Sequence, residues 1–229
     1  MLRGLRNLRG WTIDGRDCRD IGTIDDFYID DRQWTVRYLV VNVGRWGALQ
    51  ETLVLPASID RVDPAQRRIV THLTRAKIEQ APAVDTRRPV ARRYEREYSS
   101  HFGYPTFWPS TGDASETTPT LVEQAAEVAA RVAPADEEEA HLRSVQELIG
   151  YRIQAIDGES GQLEDFFADE AWTVRNFTVH TGHWFGGQTV LLSPETIRKV
   201  EWEHQLVHVG LRRDDIKGSP AYHSGMALD

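Results

Sequence analysis

Residues 34–43 have the sequence WTVRYLVVNV, in which β-branched and aromatic side chains predominate. Residues of these kinds favour extended strands. The stretch is followed by Gly44, where a turn is expected, and is preceded by residues 21–29 (IGTIDDFYI), which suit a partner strand. The sequence therefore predicts a β-hairpin at this point and a β-rich fold around it.

The hairpin sequence occurs a second time further along the chain. Residues 172–175 repeat the WTVR of residues 34–37 at a spacing of 138. The pattern G-x-x-x-D-F-x-x-D at residues 22–30 recurs at residues 161–169, at a spacing of 139. The start of the chain also matches the sequence that begins at Leu142, at a spacing of 140. Agreement over several separate motifs indicates an internal duplication.

The duplication predicts that the chain has four parts. They are a first barrel domain at residues 1–82, a linker at residues 83–141, a second barrel domain at residues 142–222 and a tail at residues 223–229. Each copy is expected to contain a handful of short strands. Closing such a sheet into a barrel removes the exposed edges at which chains aggregate.

The linker differs from the two copies in composition. Aromatic residues cluster between Tyr98 and Trp108, and so large an apolar group is expected to pack on a barrel or on a partner. Thr120 and Glu123 form a candidate capping box, which predicts a helix over about residues 120–132. Tryptophans beside the turns of the barrels are further candidates for interface contacts. The candidate interaction surface comprises Trp46, Trp184, Phe102, Tyr104, Phe107 and Trp108.

Several motifs in the two copies point to one family. In the first copy they are IGTIDDF at residues 21–27 and RYLVVNVG at residues 37–44, followed by a Val-Leu-Pro step that ends at Pro56. In the second copy they are SGQLEDF at residues 160–166 and VRNFTVHTGHW at residues 174–184. Together these motifs resemble the PRC-barrel family, whose domain is shared by the cytoplasmic part of the photosynthetic reaction-centre H subunit and by a ribosome-maturation factor.

The resemblance implies a mainly β fold class: two small closed or partly open β-barrels, related by internal duplication and joined by a partly helical linker. It also implies that the barrels serve protein contacts and share no catalytic residues. We therefore predict a non-enzymatic adaptor or scaffold with no catalytic, cofactor-binding or metal-binding residues. Its partner would be an unidentified protein, and a homo-oligomer is left open. An RNA- or ribosome-associated factor is one alternative, supported by the basic run at residues 87–93, and an enzyme with a site between the barrels is the other.

The composition limits the partners and the compartment. The chain has 27 Lys and Arg against 35 Asp and Glu, and a net charge of −8 disfavours binding to phosphate backbones. Cys18 is the one cysteine, so an intramolecular disulfide is excluded. Charges interrupt every apolar run before it reaches the roughly 18 residues that a membrane-spanning helix needs. We expect a cytoplasmic protein without a membrane span.

Reactive side chains in the sequence also have structural interpretations. Four histidines of the second copy are zinc-ligand candidates: His180, His183, His204 and His208. His180 and His183, however, lie an odd number of residues apart and would point to opposite faces of a strand. The acidic pairs Asp25-Asp26 and Glu164-Asp165 are direct neighbours, and the same alternation keeps their carboxylates from converging on one substrate atom.

An opposite-charge pair recurs in both copies. If residues 30–33 and residues 169–171 are the hairpin loops, Asp26 lies opposite Arg37 and Asp165 lies opposite Arg175. We predict that these are structural cross-strand ion pairs that help to set the register. The same alternation predicts two separate cores, lined by Phe27, Ile29, Trp34 and Val36 in one copy and by Phe166, Ala168, Trp172 and Val174 in the other.

Overall fold

A computed structural model describes residues 2–44, 50–81, 100–103, 142–182 and 187–223. The first repeat contains β1 (Arg3–Gly4), α1 (Leu5–Leu8), β2 (Thr12–Asp14), β3 (Gly22–Asp30), β4 (Thr35–Val43), β5 (Gln50–Val54), a 3-10 turn (Pro56–Ser58), β6 (Ile59–Asp63), β7 (Arg68–Thr71) and α2 (Arg75–Glu79). The second contains β8 (Leu142–Ser144), α3 (Val145–Leu148), β9 (Arg152–Ala155), β10 (Gly158–Ala168), β11 (Val174–His180), β12 (Thr189–Leu192), a 3-10 turn (Pro194–Thr196), β13 (Ile197–Glu201), β14 (Leu206–Val209) and α4 (Arg213–Lys217).

The two repeats form sheets of the same topology. The strand order is β5-β4-β3-β2-β7-β6 in the first and β12-β11-β10-β9-β14-β13 in the second. In each sheet one central pair is parallel, β2 with β7 and β9 with β14, and the other pairs are antiparallel. Neither sheet is closed among the described residues, so each is a partly open barrel. The mainly β fold class and the duplication are confirmed.

A seventh strand completes each sheet, and it comes from the other repeat. Strand β1 of the first repeat pairs with β10, placing Arg3 opposite Ala168. Strand β8 of the second repeat pairs with β3, placing Leu142 opposite Asp30. The two repeats have therefore exchanged their first strands, and each sheet contains backbone from both ends of the chain.

The hairpin loops differ from the sequence-based expectation because the tryptophans belong to the loops. Asp30 lies opposite Thr35, and Trp34 has a positive φ of 50°. Trp172 has a φ of 61° in the second repeat. A left-handed backbone is uncommon for a bulky residue, and it takes each ring out of the inward–outward alternation of its strand.

The tryptophan rings pack on the other repeat. Trp34 stacks on Phe166 with ring centroids 5.9 Å apart, and Trp172 stacks on Phe27 at 6.2 Å. The predicted partition of these two rings between separate cores was wrong, because each loop crosses to the neighbouring barrel. The other predicted core residues are buried as expected: Phe27, Ile29, Val36, Phe166, Ala168 and Val174.

The predicted ion pairs of Asp26 with Arg37 and of Asp165 with Arg175 were also wrong. The ladder places Asp26 opposite Val40 and Asp165 opposite Thr178, because the loops include the tryptophans and bulges interrupt both hairpins. Arg37 instead bonds the carboxylate at the start of its own loop, with 2.9 Å from Nη2 to Asp30 Oδ2.

The second loop has the same arrangement. Arg175 Nε lies 2.7 Å from Asp169 Oδ2. The carboxylate of Asp169 also accepts the backbone N–H groups of Ala171 and Thr173, each at 2.9 Å. Arg37 and Arg175 therefore stabilise the hairpin loops of their own repeats. Asp26 and Asp165 make other contacts, which are between the repeats.

Part of the linker is described, and it lies on the first barrel. Phe102 is buried, with 5% of its surface exposed, and its carbonyl accepts a hydrogen bond from Lys77 Nζ of α2 at 3.2 Å. His101 Nε2 lies 3.0 Å from the Lys77 carbonyl oxygen. Packing of the aromatic segment on a barrel is confirmed at Phe102. The predicted helix at about residues 120–132 lies outside the described residues. Within the described ranges, no helix is long and apolar enough to cross a membrane.

Candidate interaction site between the repeats

Residues 2–8 and residues 142–148 are the exchanged segments, and each consists of a short strand followed by one turn of helix. Helix α1 packs on β10, and α3 packs on β3. Leu5 and Leu8 are buried in the first segment, and Val145 and Leu148 are buried in the second. We call the contact between the two repeats, made by the exchanged segments and the hairpin loops, the junction. Full burial of an aliphatic side chain contributes roughly 1.5–3 kcal/mol, so these four side chains are a main source of stability there.

Asp26 caps the N-terminus of α3, the helix of the second exchanged segment. Its carboxylate accepts the backbone N–H of Gln146 at 3.0 Å and a short hydrogen bond from the Ser144 hydroxyl. It also accepts the N–H of Phe27, next to it in the chain, at 2.7 Å. A carboxylate at a helix N-terminus satisfies N–H groups that lack a partner within the helix. Here the carboxylate lies in one repeat and the helix in the other.

Asp165 has the equivalent role for the first exchanged helix. It accepts the N–H of Arg6 at 2.9 Å and that of Phe166 at 2.8 Å. The residue equivalent to Ser144 is Gly4, which has no hydroxyl to offer. The backbones of Gly4 and Ser144 are almost the same, with φ of −69° and −65°.

The two carboxylates are buried in the junction, and this changes their acidity. Burial raises the pKa of Asp165 to about 6, although the backbone hydrogen bonds from Arg6 and Phe166 oppose the rise. Burial also raises the pKa of Asp26, with the Ser144 hydroxyl as the strongest opposing contact. Both shifts have the same physical cause, which is removal of the charged form from water.

Ion pairs between the repeats hold the exchanged strands. Arg143 Nε lies 3.3 Å from Asp31 Oδ2, and both side chains are largely buried. The guanidinium of Arg143 also stacks on Trp202, 3.9 Å from the ring centroid. In the other direction, Arg3 Nη2 lies 3.8 Å from Glu170 Oε1 in a more exposed contact. Each exchanged strand thus places an arginine against the acidic residue that follows the first aspartate of the opposite loop.

A small open pocket of about 120 Å³ lies where the exchanged helices meet. Its lining residues are Leu5, Arg6, Arg9, Asp26, Phe27, Val145, Gln146 and Ile149. Ligand pockets that enclose a substrate usually measure roughly 300 Å³ or more. Of the charged groups in this pocket, Asp26 is held by the contacts described above and Arg9 Nη2 lies 3.2 Å from Asp25 Oδ1.

Of the residues predicted to form the interaction surface, the structure describes only Phe102. Because its ring is buried in the chain, it is not available to a partner, and that part of the expectation is corrected. The remaining candidates lie outside the described residues: Trp46, Trp184, Tyr104, Phe107 and Trp108. The basic run at residues 87–93 also lies outside them.

Of the four histidines considered from the sequence, His183 lies outside the described residues. His204 and His208 both approach Glu201, at 3.6 and 3.4 Å. Among the described residues, no group of three or more His, Cys, Asp or Glu side chains is arranged to hold a metal ion. Cys18 is a free thiol whose Sγ lies 3.3 Å from Arg75 Nε, and this contact connects an early loop to α2.

Sequence reasoning found the residues of the junction but not their partners. The matching starts of the two copies were visible as part of the repeat, yet a repeat alone does not tell whether each start folds on its own barrel or on the other. One signal was present: Asp26 and Asp165 are shared by the copies, and both precede a phenylalanine on a strand.

Comparison with known proteins identifies the first repeat. The family model of the PRC-barrel domain matches residues 2–78. This range includes the first exchanged segment and extends to α2. The search of curated proteins found no match.

Proposed function

We propose that this chain, whose residues 2–78 match the PRC-barrel domain, is a non-enzymatic scaffold for other proteins. The presence of a PRC-barrel domain suggests, in general terms, a protein-interaction or scaffold module. The single observation that carries the proposal is the reciprocal junction, which joins two barrels of one topology into a two-sided unit. We also propose a cytoplasmic location, with which the free thiol of Cys18 agrees.

The reciprocity of the junction supports a scaffold. Four kinds of contact between the repeats occur in both directions: the strand pairing, the capped helix, the stacked tryptophan and the arginine ion pair. Two bodies joined in this way are related by an approximate two-fold axis. The outer faces of the barrels therefore form an equivalent pair, which suits a symmetric partner or two copies of one partner.

The use of the buried carboxylates supports a non-enzymatic role. A perturbed carboxylate in a pocket is ordinarily a candidate for acid–base catalysis. Asp26 accepts hydrogen bonds from Ser144, Gln146 and Phe27, and these bonds hold the second exchanged helix in place. The structural task of Asp26 accounts for its burial, and the pocket beside it is small.

Affinity purification of the full-length protein from its native host tests the proposal. We expect a protein partner to be recovered in a fixed ratio of one symmetric dimer, or two copies, per chain. The Trp46→Ala/Trp184→Ala variant should lose this partner while keeping its melting temperature. Ile156→Ala is the matched control, because Ile156 is an exposed apolar side chain outside the candidate surface.

Three results would contradict the proposal. The first is that no protein is recovered at a fixed ratio. The second is that RNA is recovered instead and stays bound in high salt, where purely electrostatic contacts are lost. The third is turnover of a small molecule that Asp26→Asn abolishes without lowering stability.

A further inference from the structure

Each barrel lacks part of its sheet unless the other repeat supplies it. One edge of β3 pairs with β2 at Gly22 and Thr23, and further along with β8 at Tyr28 to Asp30. Without β8, the backbone groups of this second half would be an open sheet edge beside the buried core. Open edges invite pairing with another chain. The equivalent half of β10 is covered by β1.

The two exchanged segments leave their own barrels in the same way. Gly10 and Gly150 follow the exchanged helices and have φ of 77° and 93°, a conformation that favours glycine. Gly10 N–H donates to the Ile24 carbonyl and Gly150 N–H to the Leu163 carbonyl, each at 2.8 Å. The backbone after each exchanged helix therefore has the same conformation and the same hydrogen bond. Both copies of the repeat are built to send their first segment to the other barrel.

The exchanged segments share a sequence pattern that explains their fit. They have the sequences LRGLRNL at residues 2–8 and LRSVQEL at residues 142–148. The common pattern is Leu-Arg, a small residue, an aliphatic residue, two variable residues and Leu. The arginine meets Asp31 or Glu170, and the small residue lies beside the capping carboxylate. The aliphatic positions are buried.

We infer that one repeat of this chain is an incomplete unit whose partner is a second repeat, and that the exchanged segments hold the two together independently of residues 104–141. The interaction surface is the second half of β3 or β10 with its aspartate. The partner that it accepts is a segment of the pattern above. The protein is thus a dimer of repeats within one chain.

Cutting the chain between the repeats tests this inference. A protease site placed at residues 112–118 lies outside the described residues and far in sequence from both exchanged segments. The intact protein is folded, cut to completion and diluted to about 1 µM, and its mass is measured by size-exclusion chromatography with light scattering. We expect one particle with the mass of the whole chain, 26.1 kDa, which contains both fragments. Separation of the fragments, whether they stay folded or not, would overturn the inference.

Variants of the cut protein show whether the exchanged segments are responsible. Arg143→Glu places a carboxylate against Asp31 of the other fragment, so we expect the fragments to dissociate at least tenfold faster. Adding Asp31→Arg should restore part of the lifetime. Arg152→Glu is the matched control, because Arg152 pairs with Glu159 within the second repeat at 3.2 Å. Equal effects of Arg143→Glu and Arg152→Glu would also overturn the inference.

Discussion

The ring of Trp34 stacks on the ring of Phe166, with centroids 5.9 Å apart, although the two residues belong to different repeats. The backbone of Trp34 is also bonded across the junction, because its carbonyl accepts the N–H of Val174 at 2.7 Å. The reciprocal bond runs from the N–H of Val36 to the carbonyl of Trp172, at 2.9 Å. The loop of each hairpin is therefore part of the junction between the barrels.

Replacing Trp34 with alanine should weaken both repeats together. Loss of a fully buried aromatic ring costs roughly 3–5 kcal/mol. Trp34 is partly buried, so we expect a smaller cost, and it falls on a contact between the barrels. We expect one cooperative unfolding transition, measured by denaturant titration, to shift to lower denaturant. Trp34→Phe keeps a ring for stacking and should recover most of the loss. A separate early transition of the first repeat alone would contradict this prediction.

Stability should depend on pH through Asp165. Its pKa rises from the ordinary 3.8 to about 6 on folding, so the folded state binds a proton more tightly than the unfolded chain. The contribution of this group to stability is therefore fully present below about pH 4. It falls as the pH rises through about 6, by roughly 3 kcal/mol in total.

Asp165→Asn should remove this dependence, because its amide oxygen can still accept the N–H of Arg6. We expect the free energy of unfolding at pH 8 to increase and its slope between pH 4 and pH 7 to flatten. Asp169→Asn is the control. Hydrogen bonds with Thr173 and Arg175 lower the pKa of Asp169 despite partial burial, so this change should decrease the free energy of unfolding at pH 8. A lower stability of Asp165→Asn at pH 8 would count against the prediction.

Exchanging Gly4 and Ser144 should move stability in opposite directions. A Cβ at Gly4 would lie 2.6 Å from Asp165 Oδ2, so that carboxylate must turn slightly, as Asp26 accommodates Ser144. Gly4→Ser should then add a hydroxyl donor to Asp165, lower its pKa and stabilise the fold by roughly a few tenths of a kcal/mol, the usual difference between serine and glycine at a helix N-cap. Ser144→Gly should lose a similar amount.

NMR titration of the aspartate carboxyl carbons measures both pKa values directly, and thermal unfolding gives the stability. Ser144→Ala separates the hydroxyl from the Cβ, and it should raise the pKa of Asp26. Destabilisation by Gly4→Ser with an unchanged pKa of Asp165 would show that the two junctions are not equivalent.

Phe102 should stabilise the first barrel although it lies in the linker. Its ring is buried beside α2, and removal of a buried phenylalanine side chain costs roughly 3–5 kcal/mol. We expect Phe102→Ala to lower the melting temperature measured by calorimetry. His101→Ala changes the adjacent, more exposed residue and should have a smaller effect. Equal effects of the two changes would contradict a specific role for the Phe102 ring.

The sequence predicted the barrels because the alternation of strand residues and the repeated motifs are local signals. Phe27, Ile29 and Val36 could be assigned to a core from their spacing alone. The register of the hairpins could not be predicted, because it depends on a positive φ at Trp34 that nothing in a strand-like sequence announces. The expected pairs of Asp26 and Asp165 with arginines failed for this reason.

The junction could not be predicted because the two exchanged segments share one pattern, which fits either barrel. The pairing of Arg3 with Ala168, and not with the equivalent Ile29, is decided by how the two repeats lie in space. A local pattern carries no information on that choice. The importance of Asp26 and Asp165 was visible in the repeat, whereas their task as caps of helices from the other repeat required the structure.

Disulfide trapping tests the exchange of strands most directly. In a Cys18→Ser background, Arg3→Cys is combined either with Ala168→Cys, its partner in the exchanged ladder, or with Ile29→Cys, its partner if the strand stayed on its own barrel. Directly opposed residues of antiparallel strands lie about 4.5–5.5 Å apart, which is within the range of a disulfide. Under mild oxidation and with detection by peptide mass spectrometry, the account predicts a cross-link within one chain between positions 3 and 168 and none between positions 3 and 29. A cross-link between positions 3 and 29, with none between positions 3 and 168, would contradict it.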